Sequence, residues 1–157
     1  MDGYEVRWRV EGITWKTILD HIQPTVESLA RALGAELTRE RGDAPELELQ
    51  WYASDDIARA MQILIIGPPG VYELHIGGSA WKDFDSPRER RWRSETLAKI
   101  QVPPDPRKLD LGQLADTLKG VAASVSGWTE RDLINRADLP PRPPNVTSSM
   151  VRGRYVP

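Results

Sequence analysis

The sequence predicts an α+β fold, an antiparallel sheet of about five or six strands with its helices packed on one face. Three observations carry this. Several short stretches alternate apolar and polar residues at every step, two long ones repeat apolar residues every three or four, and glycine and proline mark the joins. Strands in series between two helical stretches are satisfied by an antiparallel sheet that segregates its helices to one side. The expected organisation is a single domain over residues 1–137 and an extended, proline-rich C-terminal arm over 138–157.

Residues 4–10 place Tyr4, Val6, Trp8 and Val10 opposite Glu5, Arg7 and Arg9, the period of a half-buried strand. Thr14 then caps an expected N-terminal helix whose stripe is Trp15, Ile18, Leu19, Ile22, Val26, Leu29, Ala30 and Leu33. Pro24 lies inside that stripe, so the helix is expected to be broken there, by a kink or as two helices, and Gly34 ends it. Residues 35–40 and 46–53 read as a hairpin about residues 41–45. Met61 to Ile66 is apolar on nearly both faces, as in a central strand. A Gly67-Pro68-Pro69-Gly70 turn leads to another strand in which Gly77-Gly78 mark a bulge or bend.

Residues 86–102 fit two readings. Ser86-Pro87-Arg88-Glu89 has the pattern of a helix start, yet Trp92, Ser94, Thr96, Ala98, Ile100 and Val102 share one face at period two. The strand, paired back on 71–84, is favoured. After Asp110 comes a clear helical stripe, Leu111, Leu114, Ala115, Leu118, Val121, Ala122 and Val125, stopped by Gly127. Thr129 to Asp132 is expected to cap a further short helix reaching about Ala137. Pro140-Pro141-Arg142-Pro143-Pro144 must be extended.

The chain has no cysteine, which removes disulfides, cysteine-held zinc, iron–sulfur clusters and thiol nucleophiles, and fits a reducing, cytoplasmic setting. The start of the chain shows no signal-peptide pattern, and its longest apolar run is far too short to span a bilayer. The net charge of −2 is unevenly spread. Residues 1–85 carry 8 basic and 15 acidic side chains, residues 86–102 carry 5 and 2, and residues 136–157 carry 4 and 1. A basic arm on an acidic chain either lies against its own domain or meets an acidic partner.

Chemical signatures are weak. Ile65-Ile66-Gly67-Pro68-Pro69-Gly70 opens like a phosphate loop but lacks the lysine and hydroxyl such a loop needs, and reads as a tight turn. His21, beside Asp20, reads as a surface residue. The pairs Asp55-Asp56 and Asp83/Asp85 read as turn formers. Glu73, His75, Asp83 and Asp85 are the candidates for a small-molecule or acid–base site, set in a pocket between a curled sheet and the 111–126 helix. No metal site and no cofactor are expected.

Six tryptophans accompany one phenylalanine. Trp8, Trp15, Trp51 and Trp128 fall on core stripes. Trp81 and Trp92 flank an arginine-rich stretch, a combination found at the hot spots of protein interfaces. The leading expectation is a non-enzymatic protein-binding or adaptor module whose partner, a second copy of the chain included, meets Trp81, Arg88, Arg90, Arg91, Trp92 and Arg93. In the arm, Arg142, Arg152, Arg154 and Tyr155 are expected to join them. Nucleic-acid binding through the same basic hairpin is the third reading, disfavoured by the acidic balance.

Overall fold

A computed structural model describes residues 3–40, 45–53, 55–68, 70–82 and 91–135, without the side chains of 3–14, Glu40 and Asn135. Its order is helix α1 (Gly3–Leu33), strands β1 (Glu36–Glu40), β2 (Glu46–Tyr52), β3 (Ala58–Ile66), β4 (Glu73–Lys82) and β5 (Arg91–Gln101), helix α2 (Leu111–Ser126) and a two-residue strand β6 (Ile134–Asn135). Every strand pairs antiparallel with its neighbours in chain order, so the sheet is a meander, with β6 on the outer edge of β5. The strand reading of residues 86–102 is borne out over 91–101, paired on β4.

Both helices pack on one face of this sheet. α1 lies over β1 and β2, α2 over β3, β4 and β5, and the two helices touch each other. Between them and the sheet, Ile18, Leu19, Ile22 and Val26 of α1 and Leu114, Leu118, Val121 and Val125 of α2 meet Leu47, Leu49, Met61, Ile63, Leu74 and Ile76. This layer holds most of the buried apolar surface and so most of the hydrophobic stabilisation.

Three expectations are corrected. Residues 4–10 are the opening turns of α1, not a strand, and Thr14 lies inside the helix. The same segment spaces Glu5 from Arg9 and Arg7 from Glu11 four apart, as helix-surface pairs require. Of the two forms expected at Pro24, separate helices do not occur: Pro24 sits within a continuous α1 on an exposed position, where water can serve the Asp20 carbonyl that loses its helical donor. The short helix expected after Thr129 is a single 3-10 turn, Glu130–Asp132, from which the chain extends directly into β6.

The turns follow from local chemistry. Asp55 accepts from the Ile57 amide at 3.1 Å, and Asp56 takes a left-handed φ of 62° in the turn before β3. Asp110 caps α2 by accepting from the Gly112 and Gln113 amides at 2.9 and 3.1 Å. In the Gly67-to-Gly70 turn the Val71 amide donates to the Pro68 carbonyl at 3.0 Å, which bears out a tight strand–strand connection.

Candidate functional site

The bulge expected near Gly77-Gly78 decides which side chains meet solvent. Ile76 pairs with Ala98 but Gly77 pairs with Thr96, so Leu97 is an extra residue in β5. Before it, Trp92, Ser94 and Thr96 stand on the face away from the helices. After it, Ala98 and Ile100 face the core with Ile76 and Leu74. The single period-two face expected over 92–102 is therefore split in two by one inserted residue.

On the open face the register aligns Tyr52 of β2, Ala58 of β3, Trp81 of β4, Trp92 of β5 and Ile134 of β6 in one lateral row. Trp81 is buried, Ala58 and Ala60 pack with it, and Trp92 is half-buried against them. Each end of the row is open, Tyr52 being 69% and Ile134 49% exposed. The small alanines make this possible, because a larger residue at 58 or 60 would compete for the space the indoles fill.

The cations expected beside these tryptophans divide. Alternation along β5 turns Arg91 and Arg93 to the opposite side from Trp92. The Arg93 guanidinium lies 4.4 Å from the centre of the Trp128 ring and donates to Glu95 at 3.1 Å. Lys82 pairs with Glu130 at 3.1 Å. Arg88, Arg90, Arg142, Arg152, Arg154, Tyr155, Asp83 and Asp85 lie outside the described residues.

A cation that sequence reasoning did not single out is the most buried among the described residues. Arg59 is 1% exposed and faces the helices from β3. It donates to the Val125 carbonyl at 3.1 Å and the Trp128 carbonyl at 2.7 Å, and grips both carboxylate oxygens of Asp55 at 2.9 and 2.8 Å. A cation there satisfies carbonyls at the end of α2 and offsets the helix dipole. Hydrogen bonds from Arg59 pull the Asp55 carboxyl from 3.8 to about 2. The other lowered carboxylates are also held by local bonds: Asp105 by the Arg107 amide and side chain, Asp132 by the amide and hydroxyl of Thr129. The role of Arg59 is structural.

Of the acid–base candidates, Glu73 and His75 share the open face, with His75 Nε2 3.8 Å from Glu73. They sit at the start of β4, His75 about 23 Å and Glu73 about 30 Å along the strand from Lys82 at its end. His21 is corrected from a surface residue to a part-buried tie between α1 and the loop before α2, its Nε2 3.2 Å from the Leu109 carbonyl. No cluster of metal-ligating side chains occurs among the described residues. No described helix is long and apolar enough to cross a membrane.

Between sheet and α2 lies the core just described. Two grooves lie elsewhere. One of about 550 Å³ runs between α1 and α2, lined by Leu29, Ala32, Leu111, Ala115 and Leu118 with Thr25 and Lys119 at its margin. The other, about 420 Å³, lies between α1 and β1, where Arg39 pairs with Asp20 at 2.7 Å. Comparison with protein-family models, with curated proteins and with solved structures finds no match to this chain.

Proposed function

We propose that the chain is a non-enzymatic binding module that meets a protein partner at the corner of the open face. The observation that supports this is the lateral row from Tyr52 to Ile134, aromatic or apolar at each strand and exposed at both ends. Arg88 and Arg90 come just before β5 in sequence, so the partner that fits is an acidic segment carrying an apolar anchor. Residues 136–157, which follow β6 in sequence, carry further arginines, Arg152 and Arg154 among them.

The test is affinity capture from the native source with the full chain, comparing wild type with Tyr52→Ser/Ile134→Ser. Both positions are exposed, so the variant should fold unchanged while a captured partner weakens about tenfold or more, the effect of losing one hot spot. A partner held equally well by both proteins would exclude this corner. Light scattering of the same pair reads self-association, the case in which the partner is a second copy.

A second reading rests on the groove between α1 and α2, whose volume and apolar lining suit a small ligand. Ala115→Phe would fill it and abolish ligand binding there, while leaving partner capture at the corner intact.

A further inference from the structure

Burial on the open face follows a path. Starting at the Ile134 corner, Trp92 is half-buried, Trp81 8% exposed, Ser79 1%, Ala60 0%, Gln62 4% and Glu46 1%. These positions form a diagonal band from β5 across β4 and β3 to the start of β2. On either side of the band the face is open: Ser94, Thr96 and Glu73 are exposed to one side and Tyr52 to the other. Gln62 is the most informative. Its cross-strand neighbour on β4 is Gly77, which has no side chain to shelter it, and its Oε1 accepts from the Ser79 hydroxyl at 3.4 Å. A glutamine beside a glycine on a bare sheet face would be wet, and both helices pack on the other face.

The band begins where the described chain ends, at Asn135 on the edge of β5. From β6 to β2 is four strand spacings, about 19 Å, and from the Tyr52 row to the Glu46 row is six residues, about 20 Å. The diagonal of about 28 Å is spanned by about nine residues in a polyproline conformation. Counting on from Asn135, those nine residues close on Pro140-Pro141-Arg142-Pro143-Pro144, which holds that conformation at little entropic cost. The link across residues 83–90 joins two paired strand ends, and its apex reaches only about 13 Å. That falls short of Glu46.

Charge agrees with length. The far end of the band carries Glu46 and Glu48 on one face of β2, and residues 136–157 carry Arg136, Arg142, Arg152 and Arg154 against the single acid Asp138. We infer that the open face seats a basic, proline-rich segment, and that this segment is the chain's own residues 136–157, running diagonally so that Arg142 meets Glu46 and Glu48. This inference does not rest on the proposed function, since an arm seated on its own domain requires no partner.

The absence of cysteine makes the test clean. A full-length Ser148→Cys variant is labelled with a nitroxide, and loss of amide NMR signal is mapped on the dilute, isotope-labelled protein. The expected result is strong intensity loss for Glu48, Gln62 and Ser79, with Ser28 and Ala115 in the helix groove unaffected. Glu48→Lys should diminish the loss at Gln62, and Glu48→Lys/Arg142→Glu should restore it. Loss confined to the helix groove, no localised loss, or loss only when spin-labelled and isotope-labelled chains are mixed would each overturn the inference, the last because the arm would then seat on a second copy.

Discussion

The two faces of the sheet are built from different materials. Toward the helices stand long aliphatic side chains in interlocking contact, closed at one end by Arg59. Away from them stand alanines, serines, a glutamine and a pair of tryptophans. The first face gains by excluding water completely, and any void or unpaired group there is costly. The second mixes small and polar groups with two large rings, a composition suited to a surface another segment can reach. The fold rests on one face, and the proposed interactions on the other.

That contrast can be broken at sites of decreasing effect. Leu118→Ala, in the fully buried helix-side layer, should lower unfolding free energy by about 3 kcal/mol in chemical denaturation. Arg59→Met should cost about 2 kcal/mol, because the Val125 and Trp128 carbonyls lose a buried donor while the aliphatic stem is largely replaced. Gly78→Ala tests the closest approach of helix to sheet. An added Cβ would collide with Val125 Cγ2 and crowd Leu97, so a loss of about 1–2 kcal/mol is expected. On the open face, Ser94→Lys should change stability by less than about 0.5 kcal/mol.

Acid should act on the helix side as well. Asp55 titrates at about 2 when folded, below its ordinary 3.8, so its ion pair with Arg59 contributes stability above about pH 4. This contribution is lost as the pH falls from there through 2. Asp55→Asn should therefore be less stable than wild type at pH 7, with the gap narrowing between pH 4 and 2 in parallel denaturation curves. Asp55 is nearly half exposed, so screening keeps the effect modest.

Much of the fold was legible because its signals are local. Period-two alternation located β2, and the apolar stripe after Asp110 located α2. Residues 4–10 misled because seven residues of alternation also satisfy helical charge spacing, and only the lack of a partner strand decides between them. The site was less legible. Leu97, one unpaired residue, moves Trp92 to the open face while Ala98 and Ile100 keep the core, and nothing in β5 itself announces a bulge that Gly77-Gly78 only hint at. Arg59 precedes the apolar run Met61 to Ile66 and carries no local signal. Its purpose depends on carbonyls 66 and 69 positions later, which only tertiary structure supplies. Of the arginines near Trp92 in sequence, strand alternation places the described pair, Arg91 and Arg93, on the opposite side of β5 from it.

The most direct test of the division between a structural face and a binding face is site-specific photocrosslinking in the native source. A photoreactive phenylalanine analogue is placed at Tyr52, on the open corner, or at Ala115, in the helix groove, in otherwise identical full chains. The account predicts one partner crosslinked from position 52, lost on adding Ile134→Ser, and no crosslink of that partner from position 115. The same partner captured from position 115 and not from 52 would contradict it.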